Sequence, residues 1–403
     1  MIRNKRIEIE DALTSVEGRS EGPTTSNARS FESSSRDSFF MSQLRNESCS
    51  SDANAQRPVS VPTLDFVTLV TVISWLYAKP TRYYLPFELF NLNKHTAQYK
   101  PVGDGSSFHV TTTEVTQDLP SPYRYNLYER STTEVVVKEP QDGAALFQYD
   151  GTALGDTRTL ERFIMELLIL DLDGIYGNEN IVKLEGIGWY HSPFAQKPTV
   201  QPRIVLEHAE ATLADFMSRD DSWDFKIGAC LSIARGLAAL HACDIIHGDL
   251  TLRNILVFRS QSPTDATIPD YKAKIADFSH SFVQTTRIRK MRGTNGYEPP
   301  EVVEDKAIDN PKAVDIYALG VCLWKILVES NVPPLDEPLV DLPEDNTDIR
   351  TLLEAVHVVH ESHADNMTTQ RVQQLVRSTL RRCPAKRNLD ETIQVLQEWK
   401  ESR

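Results

Sequence analysis

The stretch His247–Val257 constrains this chain more than any other, because it places polar side chains of defined chemistry directly before an apolar segment. It reads His-Gly-Asp-Leu-Thr-Leu-Arg-Asn-Ile-Leu-Val, so the carboxylate of Asp249 is followed five residues later by the carboxamide of Asn254. A second carboxylate, Asp277, comes directly after Lys274-Ile275-Ala276, which has the character of a strand. The order and separation of these groups argue against coincidence and predict a site.

Phosphoryl transfer needs a group that deprotonates the attacking hydroxyl and a neutral oxygen ligand for a divalent metal. The two stretches resemble the H-R-D-L-x-x-x-N and D-F-G motifs of the eukaryotic protein kinases. The resemblance implies an α+β, bilobal fold with a small β-rich N-lobe and a larger α-helical C-lobe, and ATP and Mg²⁺ as cofactors. Its implied catalytic roles are proton acceptance by Asp249, charge neutralisation by Arg253, and Mg²⁺ binding by Asn254 and Asp277.

The resemblance divides the chain into four parts. Residues 1–57 are rich in Ser, Asn, Asp and Arg and poor in large apolar groups, which predicts a disordered tail. Residues 58–94 are expected to form a helical extension, because Leu64–Tyr77 carries an apolar stripe, although its Val and Thr content also fits a strand. Such a helix could pack on the small lobe or bind a partner. Residues 95–208 would form the N-lobe and residues 209–403 the C-lobe.

The phosphate-binding groups are implied by two N-lobe motifs. Gly103 and Gly105 resemble a glycine-rich loop, where the missing Cβ lets backbone amides approach phosphate oxygens. Phe108 stands where the family has the third glycine, so a stiffer loop is expected. Val135-Val136-Val137-Lys138 resembles the V-A-I-K strand, whose lysine binds the α- and β-phosphates.

A glutamate on a following helix should clamp Lys138. The apolar pattern of Leu160–Leu170 predicts that helix, and Glu166 is the expected partner, with Glu161 as the rival. The adenine pocket implied by the resemblance consists of Val110, Val136, Leu206, Leu256 and the backbone groups of Glu207 and Ala209. By resemblance, Leu170, Leu184, His247 and Phe278 would stack as a hydrophobic spine between the lobes.

The C-lobe carries two further landmarks. Gly293–Glu301 resembles G-T-x-x-Y-x-x-P-E at the end of an activation segment, with Thr294 expected to make a structural hydrogen bond. Glu301 is expected to pair with Arg387 near the end of the chain.

Composition limits the other classes of function. The net charge of −14 and the pI near 5.2 argue against a nucleic-acid partner. Five widely spaced cysteines indicate reduced thiols inside a cell. The longest apolar stretch is too short to span a bilayer, and no signal peptide is visible. These features predict a soluble intracellular protein, cytoplasmic or nuclear. The resemblance implies that it acts on a protein substrate, and we expect a monomer whose tail is available to a regulatory partner.

Two alternatives stay open. H-G-D-L-x-x-x-N also resembles aminoglycoside and choline kinases, which lack the G-T-x-x-Y-x-x-P-E segment that is present here. The other alternative is a pseudokinase scaffold. Four residues depart from the family's motifs and favour it: Gly248, Thr251, Ser279 and Phe108. Serine or threonine is the expected acceptor, although the Thr-Leu-Arg-Asn ending leans towards the tyrosine-kinase-like side. Because Gly248 replaces the arginine that binds an activation-segment phosphate, activity is expected not to require phosphorylation of Thr285 or Thr286.

Overall fold

The computed structural model describes residues 66–79, 100–104, 108–120, 128–140, 147–148, 157–192, 199–219, 222–260, 270–284, 291, 293–328 and 366–403. All the described residues belong to one compact unit of the chain, Arg57–Arg403. The predicted tail, Gly105, Thr285, Thr286 and the acidic, proline-containing stretch at 331–348 lie outside the described residues.

The described residues form eleven strands. They are β1 (Lys100–Asp104), β2 (Phe108–Pro120), β3 (Tyr128–Pro140), β4 (Phe147–Gln148), β5 (Leu184–Ser192), β6 (Thr199–Glu207), β7 (Ala211–Thr212), β8 (Ile245–Ile246), β9 (Ile255–Ser260), β10 (Asp270–Ile275) and β11 (Phe282–Val283). The longest of them, β2 and β3, lie in the first half of the chain.

Helices dominate the second half. The helices within the described ranges are α1 (Phe66–Ala78), α2 (Thr157–Asp171), α3 (Leu213–Phe216), α4 (Trp223–Ala242), α5 (Pro300–Val303), α6 (Pro311–Val328), α7 (Asn366–Thr379) and α8 (Leu389–Glu401). The observed architecture is therefore the bilobal α+β fold that the sequence predicts, with a β-rich N-lobe and a helical C-lobe.

The N-lobe is an antiparallel sheet in the order β1-β2-β3-β6-β4, with β5 also paired to β6. Val110 lies opposite Lys138, and Val136 lies opposite Leu206. Residues directly opposite each other share a face, as do residues two apart on one strand. Val110, Val136, Lys138 and Leu206 therefore lie on one face of the sheet, as a shared nucleotide pocket would require.

The C-lobe is organised around α6. The sequence Asp315–Leu327 is apolar nearly all round, which predicts a helix buried on every side. The prediction is confirmed, since all but two of the residues of α6 are buried. Its observed start, Pro311, lies four residues before Asp315, and proline suits a first helical turn because its missing N–H would have no partner there. The spacing of the apolar residues in Trp223–Ala242 also predicts a long amphipathic helix, and α4 confirms it. The Ser222 hydroxyl accepts from the Phe225 N–H as its N-cap.

The predicted helix near residues 64–77 is also confirmed, as α1, and one face of this helix is buried. Leu69, Val72 and Leu76 are at most 1% exposed. Beyond its last turn, Lys79 Nζ lies 2.5 Å from Asp171 Oδ2 at the end of α2. The Tyr77 hydroxyl accepts from the Ile187 N–H of β5 at 3.1 Å. These contacts hold α1 against the N-lobe.

In the described part of the chain, no helix combines the length and apolar character needed to cross a membrane.

Candidate active site

Three charged side chains from different elements meet at the centre of the site. Lys138 Nζ of β3 donates to both carboxylate oxygens of Glu166 on α2, at 2.7 and 3.0 Å. It also donates to Asp277 Oδ1, just beyond β10, at 2.8 Å. The rival Glu161 is exposed on α2, five residues before Glu166. The cluster therefore joins the N-lobe sheet, α2 and the start of the activation segment.

The pKa values in this cluster follow from burial and from its charges. Burial would lower the pKa of Lys138, but the carboxylates of Glu166 and Asp277 outweigh it and hold that pKa above its ordinary value. Burial raises the pKa of Glu166, with the ammonium of Lys138 opposing the effect. Burial would raise the pKa of Asp277 too, but Lys138 and hydrogen bonds from Ser279 hold it well below its usual range. When ionised, two carboxylates facing one ammonium leave a net charge of −1, which favours a bound cation.

Asp277 occupies an uncommon backbone conformation. Its φ is +61°, in the left-handed region that non-glycine residues rarely adopt. The Ser279 N–H donates to Asp277 Oδ1 at 3.3 Å, and together with Lys138 it fixes the carboxylate. Strained residues held in this way cluster at functional sites.

The register of β9 and β10 places Asn254 opposite Ala276, the residue before Asp277. Ile255 pairs with Ile275, and the Ala276 N–H donates to the Asn254 carbonyl at 2.8 Å. The Asn254 carboxamide donates to the Asp249 carbonyl at 2.7 Å and to Asp249 Oδ2 at 3.2 Å. The amide nitrogen is thereby occupied, and the orientation of the carboxamide is fixed.

Asp249 also contacts the activation segment. Thr294 Oγ1 donates to Asp249 Oδ1 at 2.6 Å, as expected for the G-T threonine. Both oxygens of the Asp249 carboxylate thus accept a hydrogen bond, one from the catalytic loop and one from the activation segment.

Asp315 holds the backbone of the catalytic loop through hydrogen bonds, a role that the sequence did not reveal. Its buried carboxylate accepts from the backbone N–H groups of His247 at 2.8 Å and Gly248 at 3.0 Å. Gly248 has φ +77°, and a Cβ there would lie 2.6 Å from the His280 carbonyl oxygen. The backbone at this position therefore requires glycine. Gly248 is more than the loss of the family's arginine.

The expected spine residues Leu170, Leu184, His247 and Phe278 are all buried. The rings of His247 and Phe278 are tilted against each other, with centroids 5.5 Å apart.

The residues expected at the adenine pocket lie around the junction of the lobes. Val110, Val136 and Leu206 share the sheet face of Lys138, and Gly103 pairs with Val110. Beyond β6, the Glu210 N–H donates to the Val257 carbonyl, which places the linker with Ala209 next to β9 and Leu256.

Glu207 uses its side chain as well as its backbone, which the sequence did not reveal. The carboxylate accepts from Lys274 Nζ at 2.6 Å and from the Lys183 N–H at 2.7 Å. The Glu207 N–H donates to the Lys183 carbonyl.

Arg253 differs from Lys138 and Glu166 in its exposure to solvent. It lies exposed in a short 3-10 helix, Leu252–Asn254, and among the described residues it forms no ion pair with Asp249.

The donor chemistry of the site fits Mg²⁺ better than a metal caged by protein alone. Within the described ranges, no three His, Cys, Asp or Glu side chains come together as a metal cage. Mg²⁺ prefers oxygen ligands and is commonly held by one or two carboxylates together with substrate phosphates and water. The Asp277 carboxylate and the Asn254 carboxamide oxygen are ligands of that kind, and the backbone pairing of Asn254 with Ala276 brings their two segments together.

Comparison with known proteins agrees with this geometry. The protein kinase domain family matches residues 153–398. The chain is 27% identical over 272 residues to a probable serine/threonine-protein kinase of Dictyostelium discoideum, covering 65% of this chain and 14% of that protein. It is 29% identical over 182 residues to the calcium/calmodulin-regulated receptor-like kinase 1 of Arabidopsis thaliana, covering 43% of this chain and 39% of that protein.

These relatives extend well beyond the part that they share with this chain. The family match nevertheless covers more than half of the chain and includes α2, the catalytic loop and the activation segment. The chain belongs to the protein kinase domain family.

Proposed function

We propose that this protein is an active protein kinase that transfers the γ-phosphoryl group of ATP to serine or threonine in a protein substrate. The observation that carries the proposal is the cluster in which Lys138 contacts Glu166 and Asp277 at once. In an active kinase the lysine–glutamate pair and the metal-binding aspartate must be in place together.

Each residue of the site has a distinct proposed role. Lys138, clamped by Glu166, binds the nucleotide phosphates. Asp249 orients the substrate hydroxyl and accepts its proton as the phosphoryl group moves in line. The side chains that would hold Mg²⁺ are Asn254 and Asp277, and the ion, when bound, supplies positive charge to the phosphate oxygens.

Arg253 is proposed to neutralise developing charge. Because its side chain is exposed and forms no ion pair among the described residues, it can turn towards a bound substrate.

Serine or threonine is the proposed acceptor because of the contact between Thr294 and Asp249. That hydrogen bond ties the activation segment to the proposed base at 2.6 Å. The relatives include serine/threonine-protein kinases of Dictyostelium and Arabidopsis, which agrees with this choice.

The second candidate function is a pseudokinase that binds nucleotide without turnover. The observation that favours it is Phe108, whose ring centroid lies 4.8 Å from Lys138 Nζ. The two functions differ in one measurable quantity, the transfer of phosphate with Mg²⁺ present.

The test is phosphate transfer from ATP to a generic protein substrate by the purified full chain with Mg²⁺. Glu166→Gln should lower the rate about 100-fold or more, whereas Glu161→Gln, on the exposed face of the same helix, should leave it unchanged. Asp249→Asn and Asp277→Asn should abolish transfer while leaving the melting temperature near that of the wild type. Nucleotide binding by a wild type that transfers no phosphate would favour the pseudokinase. Full transfer by a folded Asp277→Asn protein would contradict the metal assignment.

A further inference from the structure

Phe108 is the departure from the family's motifs with the most direct contact to the site. It begins β2 at the position of the third loop glycine, yet it is only 3% exposed. Phe108 pairs with Pro140, and Val110 pairs with Lys138. The alternation along both strands puts Phe108 on the sheet face of Lys138.

The ring lies against the ammonium that the proposed function assigns to nucleotide phosphates. Lys138 Nζ is 4.8 Å from the Phe108 centroid, within the range of a cation–π interaction. The same nitrogen donates to both oxygens of Glu166 and to Asp277. Among the described residues, the ammonium therefore contacts three carboxylate oxygens and one aromatic face.

A phosphate oxygen and the ring cannot occupy the same side of this ammonium. A charge-assisted hydrogen bond would place the oxygen about 2.8 Å from Nζ. On the line to the ring, 4.8 Å less about 2.8 Å would leave it about 2 Å from the centroid, well inside the ~3.5 Å of a van der Waals contact. Phosphates that approach from that side must move Phe108.

We propose that Phe108 is an intramolecular plug of the phosphate subsite, which the phosphate groups of an entering nucleotide must displace. The proposal rests on the proposed function, because it assigns Lys138 to phosphate binding. It predicts a specific penalty. The affinity of ligands with phosphate groups is lowered, because their binding must move the ring. The affinity of adenosine is not lowered, because adenosine reaches only the adenine pocket.

The experiment is calorimetric titration of adenosine and of ADP with Mg²⁺ into the full-length wild type, Phe108→Gly and Phe108→Leu. In the wild type, ADP should bind little more tightly than adenosine. In Phe108→Gly, the ratio of the adenosine Kd to the ADP Kd should rise at least tenfold, with the adenosine Kd itself unchanged. Phe108→Leu keeps the apolar bulk and removes the cation–π contact, so this ratio is expected to rise by only about threefold. If Phe108→Gly does not fold, Phe108→Leu alone tests the proposal.

Two results would overturn the proposal, and they are distinguishable. If all folded proteins bind adenosine and neither variant raises the ratio, the plug is wrong and the nucleotide site stands. If neither adenosine nor ADP binds any of the proteins, the nucleotide site itself is wrong, and the proposed function fails together with the plug.

Discussion

Arg387 donates two hydrogen bonds to the carboxylate of Glu301, at 2.5 and 2.9 Å, and thereby joins the end of the activation segment to the C-terminal part of the chain. The pairing predicted from the sequence is confirmed. The Arg387 side chain is fully buried and also donates to the carbonyls of Ala313, Arg381 and Arg382.

We expect Arg387→Met to destabilise the fold by about 3–5 kcal/mol, because it leaves the Glu301 carboxylate, only 11% exposed, without its charged partner. The measurement is the free energy of unfolding in urea. Lys386→Met, at the exposed neighbouring position, is the control and should change stability by less than about 0.5 kcal/mol. If Arg387→Met lowers the free energy of unfolding no more than Lys386→Met does, the Arg387–Glu301 pair does not stabilise the fold.

The helix α1 should contribute to stability through one face alone. Leu69 is fully buried and Val67 on the same helix is 68% exposed. Leu69→Ala should cost about 2–5 kcal/mol by removing buried methyl groups and leaving a cavity, whereas Val67→Ala should cost under about 0.5 kcal/mol. Thermal and urea unfolding of the full chain would measure both. A Leu69→Ala protein as stable as the wild type would show that α1 does not belong to the core in solution.

Gly248 and Gly177 offer a matched pair for measuring a backbone clash. Their φ angles are +77° and +75°, but a Cβ at Gly177 meets no atom of the described residues within 4 Å, whereas one at Gly248 meets the His280 carbonyl oxygen at 2.6 Å. Both alanine variants should lose about 1–2 kcal/mol from the left-handed conformation, and Gly248→Ala should lose a further ~1–3 kcal/mol from overpacking.

The same reasoning applies to Gly248→Arg, which introduces the family's usual residue at this position. We expect it to lower both stability and phosphate transfer. A rise in transfer would show that the loop can move away from His280 at little cost.

The thiols should differ in reactivity according to burial. Burial raises the pKa of the Cys322 thiol to about 12, and Cys230 is buried with its pKa raised as well, whereas Cys383 is exposed. A raised thiol pKa favours the neutral form, so at pH 9 only about one Cys322 in a thousand would be thiolate.

Alkylation by iodoacetamide, followed by peptide mass spectrometry, should therefore modify Cys383 rapidly and spare Cys230 and Cys322 between pH 7 and pH 9. Full modification of the buried pair should need denaturant. Labelling of Cys322 at the rate of Cys383 in the folded protein would contradict its burial.

Features with a local signature were predictable from the sequence. Glu166 lies among the apolar positions of Leu160–Leu170, and the structure brings it to Lys138, while Glu161 falls on the exposed side. Asn254 and Asp277 each stand at the end of a recognisable strand, so their proximity follows from the pairing of β9 and β10.

Contacts between distant side chains could not be predicted in the same way. Lys79 and Asp171 are 92 residues apart, and no periodicity marks one as the partner of the other. The sequence shows a phenylalanine at position 108, but which way its ring turns depends on the pairing of β2 with β3. The carboxylate contacts of Asp315 and Glu207 likewise depend on how separate elements pack.

The position of α1 bears on how the chain can be divided into fragments. The family match begins at residue 153, yet Lys138 and the buried residues of α1 lie before it. A protein produced from residue 153 onwards would lack the lysine of the proposed site and the strands β1 to β4. One begun at residue 95 would regain Lys138 but expose the surface that Leu69, Val72 and Leu76 cover, and such an apolar patch favours aggregation. The shortest fragment that keeps this surface covered begins before Phe66.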